Sequence, residues 1–305
     1  MNVIPPIDIT DARLTSSTIA EPDTGETAWS GAAVAYAVGD QRIRATTHRI
    51  YECIAAHTSA ASPVPENNEA QWLEIGPTNK WAMFDTLRNT ASVKAASITA
   101  VLTPGRRVDA IALLGLVADT ATVSMTSDAV EVYSRTESLI YREVGDWYDY
   151  FFAAFRTKPS IALFDLPPYT SGVITVELTK DTGDVECGAC VAGSAEFIGD
   201  VQYEAESDVL NFSTVNRDSF GGISAIVQRR NVPKTIQSIF VDKARVNRVR
   251  ALRDDLAATP AVWAGLSNSS DGYFEAVLIL GFYKRFSINL RHPEHAVIGL
   301  ELEEI

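Results

Sequence analysis

Residues 97–103 (SITAVLT) and 108–115 (VDAIALLG) decide the fold. Each is an apolar run of strand length, too short for a packed helix, and Pro104-Gly105 between them is a turn signal. The pattern continues downstream. Residues 118–126 (ADTATVSMT) alternate with period two, 130–134 follow, and 160–164 start after Pro159. Residues 172–180 (GVITVELTK) and 184–191 (DVECGACV) flank Asp181-Thr182-Gly183, which reads as a hairpin. Short strands spaced roughly 8–12 residues apart with turns between them predict a β-sandwich or jelly roll over residues 79–193.

Upstream, residues 29–78 read as a small β module. About 45 residues bury little surface, so Trp29, Tyr51 and Trp72 are expected to act as its miniature core. Residues 1–28 hold Pro5 and Pro6 and little periodicity. They read as an extended N-terminal arm that orders on a neighbouring subunit by burying Ile4, Ile7 and Ile9. Downstream, residues 194–305 read as a β-rich C-terminal domain with one helix over 242–258. There Val246, Val249, Leu252 or Arg253, and Leu256 form one helical stripe, Asp242 serves as N-cap, and Thr259-Pro260 ends the run. Asp218 to Gly222 reads as a turn. The whole chain is therefore expected to be mainly β.

The 305 residues carry a net charge of −13, which argues against a nucleic-acid partner, since that needs a basic face. Asp109 and Asp119 interrupt the most apolar region, so no membrane insertion is expected, and the first residues lack a cationic, then apolar, secretory start. Three cysteines do not make a disulfide framework. Cys187-Gly188-Ala189-Cys190 lacks the following helix that a redox pair needs, and lacks further ligands for zinc. Its cysteines read as small buried strand residues on opposite faces. His292-Pro293-Glu294-His295 reads as a loop, and His48 and His57 have no nucleophile beside them. No catalytic residue, cofactor or metal is expected. Lys243, Arg245, Arg248, Arg250 and Arg253 spread over the polar arc of the helix, as a solvated face does; Arg245 and Arg248 are the candidate subunit contacts if an acidic neighbour covers them.

Three resemblances add to this reading. Trp29, Tyr36-Ala37-Val38-Gly39-Asp40, Tyr51-Glu52-Cys53 and Trp72 follow in the order found in chitin-binding-like modules (carbohydrate-binding type 5/12). That resemblance implies glycan binding by Trp29, Tyr36, Tyr51 and Trp72, although Ala55-Ala56-His57 stand where such modules place exposed aromatics. Asn79-Lys80-Trp81-Ala82-Met83-Phe84-Asp85 is similar to the opening of galactose-binding-like (discoidin-type) jelly rolls, whose Trp and Phe plug the end of the sandwich. Thr259-Pro260-Ala261-Val262-Trp263, residues 280–288 (LGFYKRFSI) and residues 299–303 (GLELE) resemble structural proteins of tailed bacteriophages and prophages. Together they imply a non-enzymatic virion component of the tail tip, collar or baseplate, made in the host cytoplasm, acting as adaptor between tail subunits and fibres. Its implied partners are other virion tail proteins and copies of itself in a symmetric ring, or a ring to which it binds. The alternative is a carbohydrate-binding protein that recognises host surface polysaccharide.

Overall fold

The computed structural model describes every residue except Glu143, Asp218 and Arg291. Strands hold 48% of the chain and helices 9%, so the protein is mainly β. The N-terminal stretch supplies β1 (Asn2–Ile4) and β2 (Leu14–Ser17). The small module follows with β3 (Ala35–Tyr36), β4 (Gln41–Arg44), β5 (Arg49–Cys53), β6 (His57–Thr58) and β7 (Trp72–Pro77). They form a three-stranded sheet, β4-β5-β7, and a pair, β3-β6. Tyr36, Tyr51, Cys53 and Trp72 are buried between them and Trp29 packs against this cluster.

The middle of the chain is a β-sandwich. It uses β8 (Ser92–Leu102), β9 (Ala110–Leu114), β10 (Thr120–Ser127) and β11 (Val130–Ser138). A short ribbon of β12 (Ile140–Tyr141) and β13 (Arg156–Thr157) frames helix α1 (Trp147–Phe152). The sandwich is completed by β14 (Ser160–Leu163), β15 (Val173–Cys187) and β16 (Ala189–Gly193). One sheet has the order β11-β10-β15-β8-β2, the other β14-β9-β16. The alternation read at 118–126 is real: Ala121, Val123 and Met125 face the core, the residues between them do not.

Two expectations fail here. Asp181-Thr182-Gly183 is not a hairpin. Both halves of β15 pair with β8: Thr179 lies opposite Ser97 and Asp184 opposite Ala95. Residues 180–183 bulge out opposite Ala96 alone, which itself adopts φ +63°. The strand therefore continues past the turn residues, because one long partner spans both halves. Second, Cys187 and Cys190 do not face opposite ways. At Gly188 the chain leaves one sheet for the other, its N–H donating to Leu114 O (3.0 Å) and Gly115 O (3.1 Å). A Cβ on Gly115 would stand 3.1 Å from Gly188 Cα, so the crossing needs glycine on both sides. Both thiols end in the same sandwich core. Burial drives the Cys187 thiol well up and Cys190 to about 12, so both are inert small apolar residues.

Every residue of β9, β14 and β16 is buried. Ile111, Leu113, Ile161, Leu163 and Cys190 point into the sandwich. Ala110, Ala112, Leu114, Ala162, Ala189 and Val191 point the other way, into a second core shared with Ile4, Val262, Phe274, Leu278 and Leu280. The continuous apolar run at 110–114 thus marks a sheet covered on both faces. The alanines keep its outer face flat enough for the C-terminal unit to approach closely.

That unit is a closed barrel. Residues 196–201 form β17 (Glu196–Phe197) and β18 (Asp200–Val201). A ribbon follows: β19 (Glu206–Leu210), β20 (Thr214–Arg217), β21 (Ile223–Val227) and β22 (Val232–Asp242). After helix α2 (Val246–Asp255) come β23 (Ala261–Ala264), β24 (Leu278–Asn289) and β25 (His295–Glu304). The hydrogen-bonded order runs β17-β1-β23-β24-β25-β22-β18, every pair antiparallel. Its two ends, β17 and β18, are consecutive in the chain, so residues 196–201 close the sheet on itself as a sixth stave. Gly199 is the hinge of that stave. It sits at φ +145°, and a Cβ there would lie 2.1 Å from Phe240 O. Val3, Ile239, Val241, Trp263, Ile279, Phe286, Ile298 and Leu300 fill the interior, where Trp263 Nε1 donates to Gly281 O (3.1 Å). Val249 of α2 and Leu256, just after its end, pack onto this core.

The helix is shorter than expected. Asp242 is still in β22, opposite His295, and gives no side-chain cap; one 3-10 turn at Lys243–Arg245 leads into α2. The N-terminal stretch is not an arm awaiting a neighbour. β1 is a stave of the barrel between β17 and β23, Ile4 and Ile7 are buried within the chain, and Ile9 packs on the sandwich core. A bridge by Arg88 of the sandwich to the buried Glu304 of β25 (2.5 Å), joined by Arg230 (3.3 Å), ties the two units further.

Candidate functional site

The most highly connected polar cluster lies where N-terminal stretch, small module and sandwich meet. Glu21 is its hub, its side chain only 6% exposed. The Thr78 hydroxyl donates to its Oε1 (2.8 Å) and Trp81 Nε1 to its Oε2 (2.9 Å). His48 Nδ1 lies 3.1 Å from both carboxylate oxygens, and His48 Nε2 lies 3.2 Å from Asp11 Oδ2. The imidazole is stacked on Trp81 with centroids 4.1 Å apart. Beside it, Asn79 Nδ2 donates to Asp23 Oδ2 (2.5 Å) and Val93 O (2.8 Å), while its backbone N–H donates to Glu26 Oε1 (2.8 Å). A carboxylate–imidazole–carboxylate row invites a catalytic reading. Yet both ring nitrogens are engaged by carboxylates, and among the described residues no serine or cysteine reaches His48. The adjoining cleft holds Asp11, Arg49, Phe84 and Asp85. Burial raises the Asp85 carboxyl, and hydrogen bonds from Thr90 and the Leu87 N–H oppose that. The arrangement holds three chain segments in fixed register. Trp81 is itself part of the sandwich core, and Phe84 packs against that core.

The four candidate sugar-stacking aromatics are elsewhere, in the core of the small module. Tyr36, Tyr51 and Trp72 are 3–4% exposed, and Tyr36 stands edge-on to Trp72 with centroids 5.0 Å apart. Arg44 covers the Trp29 ring at 5.0 Å. Tyr36, Tyr51 and Trp72 offer no free face to a pyranose ring, which corrects the expectation that the four form a glycan platform.

Arg245 and Arg248, candidate contacts to a neighbour, are engaged at home. Arg248 pairs with Glu196 on the closing stave (2.6 Å) and Arg245 lies over the Phe197 ring at 5.3 Å. His292 and His295 stack at 4.3 Å. Among the described residues no group of three or more His, Cys, Asp or Glu side chains is placed to hold a metal ion. No helix of the described residues is long and apolar enough to cross a membrane.

Sequence reasoning missed two surfaces. One is a cleft outside the barrel seam, where the half-exposed rings of Phe197 and Phe240 flank Asp200, Asp242, Arg245 and His295. Its signal was in β22, whose outward positions Ile236 and Phe240 are apolar where a solvated face should be polar. The other is a pair of uncovered apolar projections. On and beside α1, Trp147, Tyr148, Tyr150, Phe151, Phe152 and Phe155 are 55–80% exposed. On the β20–β21 ribbon Val215, Ile223, Ile226 and Val227 are 42–59% exposed. The 147–155 stretch is visibly aromatic in the sequence, but nothing in it says that these rings stay outside. Comparison with protein-family models, with curated proteins and with solved structures finds no match to this chain.

Proposed function

We propose that this protein is a non-enzymatic structural component of a tailed-phage virion, an adaptor of the tail tip, collar or baseplate that joins tail subunits to fibres. The observation that carries the reading is the combination of a rigid body with uncovered apolar projections. Small module, sandwich and barrel are locked to one another by the Glu21 cluster, by the core around Ile4 and Leu114, and by the Arg88–Glu304 bridge. From this body project an aromatic helix and an aliphatic ribbon that the chain itself leaves open. Contiguous exposed apolar patches mark surfaces that bury against protein. A rigid spacer with two such surfaces suits assembly with other virion tail proteins, in a symmetric ring or bound to one, and agrees with the resemblance of the 259–303 segments to tailed-phage structural proteins. Immunogold labelling of purified tailed particles tests it: label confined to one place along the tail is expected, and particles devoid of the protein refute it.

A second reading rests on the seam cleft. Two phenyl faces beside Asp200, Asp242 and Arg245 are groups that also bind pyranose rings, so recognition of a host polysaccharide would use this cleft and not the small module. A glycan array with the whole protein and with Phe240→Ala separates the two readings.

A further inference from the structure

The two uncovered projections differ in chemistry in a way that bears on what covers them. The β20–β21 ribbon is two strands thick and, among the described residues, none of its side chains joins a buried cluster. Its apolar side chains occupy both faces: Val215 lies opposite Ile226 on one, Val227 opposite Thr214 on the other. A free two-stranded ribbon is marginal in water, and one greasy on both faces is more so. Six aromatic side chains of α1 and its flank form the other projection. At roughly 150–250 Å² per side chain, rings that are more than half exposed offer several hundred Å². That approaches the ~800 Å² per partner of a standard interface. Both surfaces stay exposed in the one chain, so they do not cover each other within it.

Charge decides the pairing. Residues 211–229 carry Arg217, Asp218 and Arg229, a net +1, whereas residues 142–156, from the Arg142 that lies over the Phe155 ring onward, carry Arg142, Glu143, Asp146, Asp149 and Arg156, a net −1. Ribbon against ribbon, or helix against helix, brings like net charges together; ribbon against helix brings opposite ones. We infer that copies of this chain associate head to tail, the aliphatic ribbon of one copy seated on the aromatic α1 cluster of the next. This deepens the structural-component reading and rests on it. A contact between two different patches is heterologous, so it propagates from copy to copy and ends when it closes as a ring.

The full-length protein tests this by sedimentation velocity at micromolar concentration. Wild type is expected to form a multi-subunit species. A ribbon variant (Val215→Lys with Ile226→Asp) and a helix variant (Trp147→Glu with Phe151→Lys), each a complementary pair of exposed positions, should each be monomeric with an unchanged circular dichroism spectrum. Mixed in equal amounts, they retain one intact ribbon and one intact helix between them and should form dimers and nothing larger. A monomeric wild type, either variant alone associating like wild type, or a mixture that stays monomeric overturns the inference. If a variant misfolds, Arg229→Asp replaces the ribbon variant: it should weaken association, and Asp149→Arg on the partner copy, which leaves in place the Asp146 side chain that caps α1, should restore it. Failure to restore counts against the contact. Labelling of tailed particles is read independently, so loss of this contact and loss of the virion reading are separate results.

Discussion

Ile4→Ala asks whether the first strand belongs to this chain's own core. Ile4 is fully buried in the core between the barrel and the Ala110/Ala112/Leu114 face of the sandwich. Truncation removes three carbons, about 2.4 kcal/mol at ~0.8 kcal/mol per buried methylene. Neither wall can move in to fill the gap: β1 is pinned by ladders on both sides, and a Cβ on Gly193 would lie 2.2 Å from Pro5 O, so the chain is already in contact there. A cavity term therefore adds to the transfer term and brings the expected loss to about 3–4 kcal/mol, within the range for buried Ile→Ala changes. The assay is urea unfolding followed by tryptophan fluorescence, with Trp263 inside the barrel as reporter. Ile9→Ala, at a half-buried position, should lose well under half as much. A loss below about 0.5 kcal/mol for Ile4→Ala would refute the reasoning. So would a midpoint that shifts with protein concentration in the ribbon variant, where ribbon-to-helix association is removed, because β1 would then be folding onto a neighbouring copy.

Arg88→Met leaves the Glu304 carboxylate, 4% exposed, with only the half-exposed Arg230 as counter-charge. Breaking one side of such a buried pair should cost about 2–4 kcal/mol by thermal or chemical denaturation, and Arg88→Met with Glu304→Leu should recover much of it. Cys187 and Cys190 have raised pKa values, so in the folded protein both stay protonated where an unfolded thiol, near 9, begins to ionise. Their contribution to stability is complete below about pH 9 and is lost as the pH climbs through their folded values. Iodoacetamide at pH 8, read by peptide mass spectrometry, should leave both unmodified until the chain unfolds; rapid native labelling would contradict their burial.

The elements that spoke clearly in the sequence are those whose two faces differ. Residues 118–126 alternate because one face of β10 is core and the other is not, and the Val246/Val249/Leu252 stripe shows because α2 covers the barrel with one side. Residues 108–115 read as a strand, but the unbroken apolarity of 110–114 within them held a further message: Ala110 and Ala112 stand on a second buried face, so sandwich and barrel are one stack. What stayed hidden depended on distant partners. Asp181-Thr182-Gly183 carries hairpin residues, and only the length of β8 turns that site into a bulge. Val3 and Ile4 form a three-residue strand with no periodicity to detect, and their partners lie in residues 196–197 and 262–264. At the candidate surfaces, Tyr51 and Trp72 were legible as the small module's core, where the structure has them with Tyr36, and Trp29 packs against that cluster. Arg245 and Arg248 were legible as cationic, yet Glu196 and Phe197, which engage them, lie about fifty residues earlier.

The placement of β1 also sets a timetable. Asn2 pairs with Ala264 and Ile4 with Val262, so the first strand waits for about 260 residues of synthesis before its neighbour on that side exists. At 5–20 residues per second this is on the order of 13–50 s, during which Val3 and Ile4 lack their cores while the small module and much of the sandwich can already form. Such remote pairing makes barrel closure a late event of folding and leaves an apolar first strand without its partners on the ribosome-bound chain until then.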